Sequence, residues 1–329
     1  MTILITGGAG YIGSHTARLL SELGRDVVVL DTLERGYREA VRDIENVDLV
    51  VGDIADARTV GKVCRKYDVD SVIHFAAYKA VGESMVDPLR YYKNNVAGSV
   101  ALVEALLEHE VKHIVFSSSA AVYGTPDTSP VNEDATLRPQ SPYAQTKADT
   151  ERFLASCDPL GLRSVSLRFF NAAGAHESGD MGEDWSATEN LVPVVMKVLF
   201  GAQSSLEIFG DDYPTPDGSC VRDYVHVTDL AEAHVKALEY LASGGKSLAC
   251  NVGTGQGTSV KQLIAVTESV TGRTLPHRVV PRRAGDPAAV YADPTLIRAV
   301  LGWRATRDLR EIITSAHRWH QRNPDGYSR

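Results

Sequence analysis

Tyr143 and Lys147 stand four residues apart and form the only Tyr-x-x-x-Lys pair in the chain. On a helix that spacing brings both side chains to one face, about one turn apart. A phenol whose ordinary pKa is about 10 is a poor base at neutral pH. An ammonium beside it, together with the positive charge of a bound cofactor, favours the phenolate, so the pair points to a proton acceptor for an alcohol. Ser119 ends the run Phe116-Ser117-Ser118-Ser119 and offers a hydroxyl to the same reacting oxygen.

A second constellation opens the chain. Gly7-Gly8-Ala9-Gly10-Tyr11-Ile12-Gly13 satisfies two glycine registers, one from Gly7 and one from Gly8. Glycines at this spacing let a tight turn bring its backbone against a diphosphate, with the N–H groups of the next helix aimed at the anion. Asp31 follows eighteen residues after Gly13, at the end of the next apolar run. A carboxylate there accepts from a ribose hydroxyl and repels a 2′-phosphate, so NAD is expected over NADP. Arg35 and Arg38 lie close by and leave the NADP reading open. Asp53, ending the third run, suits either an adenine contact or a turn.

The elements that must hold these residues are legible as alternating runs. Strands are expected at Thr2–Thr6, Asp26–Asp31, Val47–Val51, Ser71–Phe75, His113–Ser117 and Ser164–Arg168. Their near-continuous apolar character fits parallel strands covered on both faces. Helices are expected to begin near Ile12, Ala57, Tyr91 and Tyr143. The pattern predicts an α/β fold, a Rossmann-like doubly wound parallel sheet over residues 1–171. In such a sheet the strands' carboxyl ends surround the ligand crevice, which places Ser119 there. After Asn171 the texture changes, with Gly, Pro, Asp and Ser clustered at 174–190 and 210–219. Helical stretches near 191–201, 229–243 and 259–271 separate these loops. A smaller C-terminal substrate-binding lobe, 172–329, is expected, with segments near 220–252 free to return to the sheet.

Composition excludes several classes. With 34 Lys and Arg against 42 Asp and Glu in 329 residues, the net charge is −8, which disfavours a nucleic-acid partner. No apolar run is long enough for a membrane helix. The start, MTILITGGAG, runs straight into a strand without a basic leader, and the four cysteines are too dispersed for a disulfide framework. A soluble cytoplasmic protein is expected. His109-Glu110-Val111-Lys112-His113 satisfies the zinc-protease pattern literally, but it is expected to straddle a helix end and a strand. No metal site is predicted.

The segments GGAGYIGSH, HFAAYKAVGES, FSSSAAVYG, SPYAQTK and RFFNAAGAH resemble the extended short-chain dehydrogenase/reductase family. More narrowly, SGDMGED at 178–184, IFGDDYPTPDGSCVRDYVHVTDL at 208–230 and PRRAGD at 281–286 resemble its UDP-glucose 4-epimerase branch. The resemblance runs from residue 2 to about 325. It implies tightly held NAD, a transient 4-keto sugar, and interconversion of UDP-galactose with UDP-glucose at C4. It also implies that the cofactor meets Gly7, Gly10, Tyr11, Ile12, Gly13, Asp31, Asp53, Ile54, Phe75, Lys79, Asn94, Lys147 and Phe170. The UDP-hexose is then expected against Ser119, Tyr143, Asn171, Asn190, Leu191, Phe209, Arg222, Arg283 and Asp286. Family members are commonly homodimers, and the apolar faces of helices near 91–109 and 143–157 suit such pairing.

Three positions depart from the family pattern. Ala121 stands where a second hydroxyl is usual, and Ala77-Tyr78 replaces a Gly-Leu pair. Val290, followed at once by Tyr291, occupies the place next to the sugar where a larger side chain goes with exclusion of 2-acetamido sugars. Val290 therefore carries the expectation that UDP-GlcNAc and UDP-GalNAc are also accepted. The alternatives weighed are a nucleotide-sugar 4,6-dehydratase, a decarboxylase and a non-catalytic NAD-binding module. The first two need a carboxyl group where Ala120 and Ala121 stand, and the third has no use for Ser119, Tyr143 and Lys147.

Overall fold

The computed structural model describes residues 2–188, 190–283 and 285–327. Six strands, β1 (Thr2–Thr6), β2 (Asp26–Asp31), β3 (Val47–Val51), β4 (Val69–His74), β5 (His113–Ser117) and β6 (Arg163–Phe169), join a seventh at Leu248–Val252. All are parallel, in the order Leu248–Val252, β6, β5, β4, β1, β2, β3.

The apolar runs are continuous because each strand feeds two cores. Successive side chains point to opposite faces. Ile3, Ile5, Val27, Val29, Ile73 and Val115 enter one core, beneath the helices Tyr11–Glu22 and Val227–Ala242. Leu4, Val28, Leu30, Val72, Ile114 and Phe116 enter the other, with Leu102, Leu106 and Leu154 from the helices Gly98–Glu108 and Pro142–Ser156. The order of the sheet reverses at β1, which has β2 on one side and β4 on the other. The crevice at that reversal is where α/β sheets hold ligands.

The helix expected to begin near Tyr91 is broken. It runs as α over Pro88–Tyr91, as a π-helical turn over Tyr92–Ala97, and as α again over Gly98–Glu108. Such turns are frequent at functional sites. The motif His109–His113 is split as expected. His109 caps the helix and His113 opens β5, while the His109 ring meets Arg65 Nη1 at 2.8 Å and the Gly61 carbonyl at 3.0 Å.

Past Asn171 a third core gathers around the helices Leu191–Leu199, Val260–Thr271 and Leu309–Arg322. The last helix was not among those expected. Its start is fixed by a capping box in which Asp308 accepts the Glu311 N–H and Glu311 reaches back to the Asp308 N–H. Two parallel strands, Leu206–Phe209 and His277–Val280, flank this core. Chain beyond residue 171 also contributes to the sheet and its first core. The strand Leu248–Val252 and the side chains Ile297, Leu301 and Trp303 all belong to the sheet's first core. No described helix is long and apolar enough to cross a membrane.

Candidate active site

The glycine turn lies at the carboxyl end of β1. Gly7 adopts φ +70, and a Cβ added there would sit 2.6 Å from the Ala76 nitrogen. At Gly13 it would sit 2.5 Å from the Gly7 carbonyl oxygen. The turn thus passes into the helix Tyr11–Glu22, whose start carries neither a side-chain cap nor an acidic residue in its first turn. Free N–H groups in a backbone cradle that excludes side chains fit the diphosphate of a dinucleotide. Asp31 is 8% exposed, and accepts the Ala9 N–H at 3.0 Å and the Leu33 N–H at 2.8 Å. Burial raises its pKa, and the two N–H groups oppose that rise. Arg35 turns to Glu83 at 2.9 Å, so its charge is already engaged.

Other expected cofactor residues take varied positions. Tyr11 donates its hydroxyl to the Gly174 carbonyl at 2.7 Å, tying the glycine turn to the second lobe. Ile12 packs on the first core and Ile54 lies inside the second, so the Ile54 side chain serves packing and leaves its main chain for any contact. Asp53 is exposed and accepts the Ala55 N–H at 2.9 Å, a turn-forming role. The Phe75 ring packs on His234 with centroids 4.6 Å apart, and its main chain borders the glycine turn. Asn94 lies on the π-helical turn and donates to Asn95 Oδ1 at 3.0 Å. Phe170 is buried with Val122, Tyr123 and Val290.

Ser141 caps the helix Pro142–Ser156 by accepting the Ala144 N–H, and Pro142 occupies its first position. This sets Tyr143 and Lys147 on the first two turns, both buried. The Lys147 ammonium donates to the Ser117 carbonyl at 2.7 Å and lies 4.7 Å above the Phe116 ring. Burial pulls its pKa down from 10.5 to about 7, against the opposing charge of Glu151. Ser119 sits just past β5, where its hydroxyl acts to draw the Tyr143 pKa down. Burial raises the Tyr143 pKa, and Ser119 opposes that rise.

Seven of the expected substrate residues meet at one cavity of about 440 Å³ in the second lobe, whereas Ser119, Tyr143 and Val290 do not line it. Asn171, Asn190, Leu191, Phe209, Arg222, Arg283 and Asp286 all line it. Arg222 donates to the Pro287 carbonyl at 2.9 Å and stands 3.8 Å from Asp286. Phe209 does not present a free ring face, because the Arg283 guanidinium covers it at 4.2 Å. Of the segment 281–286, Ala284 lies outside the described residues. Val290 pairs with Arg222 and is 9% exposed, packed with Val122, Tyr123 and Phe170. Tyr291 turns away, its hydroxyl donating to the Ser129 carbonyl at 3.2 Å. The inward residue of the pair is therefore Val290.

Two site residues escaped sequence reasoning. Glu183 is 5% exposed and holds both Lys79, at 3.2 Å, and Asn190, at 2.8 Å, joining an expected cofactor residue to an expected substrate residue. Asn95 is buried between the loop at Tyr78 and the catalytic helix. The acidic run at 183–184 and the pair Asn94-Asn95 gave no periodic signal by which to find either.

The family model described as GDP-mannose 4,6 dehydratase matches residues 4–316. The UDP-glucose 4-epimerase of Halalkalibacterium halodurans is 46% identical over 330 residues, covering 100% of this chain and 98% of the relative. The crystal structure of UDP-glucose 4-epimerase from Stenotrophomonas maltophila, with NAD and formylated UDP-arabinopyranose, superposes with a TM-score of 0.96. It is 42% identical and covers 98% of this chain and 99% of that one. The Bifidobacterium longum enzyme, solved with NAD+ and UDP, gives a TM-score of 0.92 at 38% identity, covering 99% of this chain and 100% of that one.

Proposed function

Because the chain belongs to the UDP-glucose 4-epimerase family of extended short-chain dehydrogenase/reductases, we propose that it interconverts UDP-galactose and UDP-glucose at C4. The observation that carries this reading is the buried pair Tyr143 and Lys147 on one helix, with Lys147 held to the Ser117 carbonyl at the carboxyl end of β5. When bound, NAD supplies the hydride acceptor, the returning hydride and a positive charge beside the phenol. Tyr143 takes the proton of the 4-hydroxyl and gives it back to the re-reduced oxygen. Ser119 holds that oxygen, and Lys147 anchors the helix to Ser117 while favouring the phenolate. The charge of the cofactor thereby offsets the burial that keeps Tyr143 neutral at rest.

The roles of the surrounding residues follow from their chemistry. Gly7, Gly10, Tyr11, Ile12 and Gly13 cradle the cofactor diphosphate, and Asp31 takes its adenosine ribose. Asp53, Ile54, Phe75, Lys79, Asn94 and Phe170 complete that wall. Arg222 and Arg283 hold the UDP diphosphate through charge-assisted hydrogen bonds. Asp286 takes the uridine ribose, while Asn171, Asn190 and Leu191 border the sugar. Phe209 faces uracil once Arg283 leaves its ring for the diphosphate. Val290, small and inward, leaves room for a 2-acetamido group.

The 4,6-dehydratase chemistry named by the family model requires an acid and a base beside the catalytic hydroxyl. Ala120 and Ala121 transfer no proton, and the same lack disfavours a decarboxylase. A cytoplasmic homodimer completes the reading. Its support is the apolar surface on the segment 81–100, where Val86 is 86% exposed and Leu89 81%. The test is incubation of the purified protein with UDP-galactose and no added cofactor, following UDP-glucose by chromatography. UDP-glucose formation supports the proposal; an unaltered sugar, even after addition of NAD, overturns it.

A further inference from the structure

Beneath Ser119, Tyr143 and Lys147 lies a buried ion pair for which the proton transfer has no direct use. Glu151, one turn past Lys147 on the same helix, and Arg168 on β6 are each 7% exposed. Arg168 Nη2 donates to Glu151 Oε2 at 2.7 Å, and its Nε lies 3.1 Å from each carboxylate oxygen. Ser118 donates its hydroxyl to Oε1 of the same carboxylate. Arg168 Nη1 reaches the Tyr123 hydroxyl at 3.0 Å, which donates to Asn251 at 2.7 Å.

Stability alone does not account for such a pair, since apolar replacements of buried ion pairs are often neutral or stabilising. Its position is more telling. Ser118 lies between Ser117, whose carbonyl receives the Lys147 ammonium, and Ser119, the group that draws the Tyr143 pKa down. Glu151 therefore grips the exit of β5 from the helix that carries both Tyr143 and Lys147. Its negative charge also opposes the burial that drives the lysine toward neutrality. The other titratable groups near the lysine do not replace it. His74 on β4 is neutral, its pKa held at about 3 by burial and then by Lys147 itself. Tyr123, beyond the turn after Ser119, is pushed up to about 12 by burial, and its nearest carboxylates are Glu133 and Glu151. Arg168 faces the carboxylate, and Tyr92 meets the helix at Asp149.

We propose that Glu151 is a positioning residue of the reaction: clamped by Arg168 and Ser118, it fixes the geometry of Ser119, Tyr143 and Lys147 and sets its carboxylate one helical turn from the ammonium. The proposal rests on Tyr143 being the base, and its test separates the two ideas. Glu151→Gln keeps the shape and removes the charge. The ammonium then releases its proton more readily, so the high-pH limb of the kcat profile moves down by about one pH unit. The low-pH limb moves less, because the phenol is farther along the helix from the lost charge. Titration of Lys147 in 13C-lysine-labelled protein, assigned with Lys147→Met, reads the same displacement without turnover. Glu151→Asp restores the wild-type limb. Should the unpaired Arg168 prevent folding, Glu151→Gln/Arg168→Met leaves no stranded charge and is expected to move the lysine titration in the same direction. A folded variant with an unmoved limb and an unmoved lysine titration overturns the proposal, even if kcat falls. A wild type inactive toward UDP-galactose overturns the functional reading, while the lysine titration still decides the role of Glu151.

Discussion

The side-chain amide of Asn95 lies 3.1 Å from the hydroxyl of Thr146, the residue immediately before Lys147. The same amide accepts the Tyr78 N–H at 2.9 Å and donates to the Tyr78 carbonyl at 3.0 Å. One buried side chain thus ties the loop after β4 to the helix of the catalytic pair, and a π-helical turn presents it. Asn95→Ala strands the Tyr78 N–H and carbonyl. A loss of about 1–3 kcal/mol in stability is expected, measurable by urea unfolding. NAD retention through dialysis should fall in parallel; unchanged stability and retention would contradict this role.

Lys147 makes stability depend on pH in a definite direction. Its folded pKa, about 7, lies below its ordinary value of 10.5, so between those limits the unfolded chain binds the extra proton. In that window the wild type gains up to about 1.4 kcal/mol per pH unit from this group as pH rises. Lys147→Met removes that gain. Urea midpoints at pH 7 and pH 9 should show the variant losing ground to the wild type at the higher value.

Acid should unfold the protein through its histidines. His15, His74 and His226 are held at about 3, and His234 and His320 at about 4, all principally by burial. Their neutral forms are native, so stability is fully present above the ordinary histidine value and is lost as pH falls toward 4. Each site contributes up to about 1.4 kcal/mol per pH unit in that range. Equilibrium unfolding at pH 7, 6 and 5 checks this, and a flat dependence would contradict it.

Val290 is proposed to set the room beside the sugar. The wild type is expected to epimerise UDP-GlcNAc as well as UDP-glucose. Val290→Tyr should suppress acetamido turnover at least tenfold more than turnover of UDP-galactose, a discrimination of about 1.4 kcal/mol. Overpacking costs about 1–3 kcal/mol in a well-filled site, so folding of the variant is verified by circular dichroism. Equal loss toward both sugars would remove the assignment.

The sheet was legible because its signals are local. Ile3, Leu4 and Ile5 announce a strand with two covered faces, and Gly7 to Gly13 then Asp31 fall at the ends of such strands. Arg222, Arg283 and Phe209 were legible only through resemblance, since no local pattern brings residues so far apart in sequence to one cavity. Glu151, within ADTERFLAS, reads as an ordinary solvated charge. What buries it is Arg168 arriving on the neighbouring strand, a pairing that periodicity does not encode. The depth of Tyr143 and Lys147 was hidden for the same reason: spacing reveals the pair but not its burial.

The most direct test uses UDP-galactose carrying deuterium at C4, given to the wild type and to Tyr143→Phe, with NAD content measured in both. The wild type is predicted to yield UDP-glucose with the deuterium still at C4. The variant is predicted to keep NAD and lose about 100- to 10,000-fold in rate. Washout of the label to solvent, or undiminished turnover without the phenolic oxygen, would contradict the assignment of Tyr143 as the base of a C4 hydride exchange.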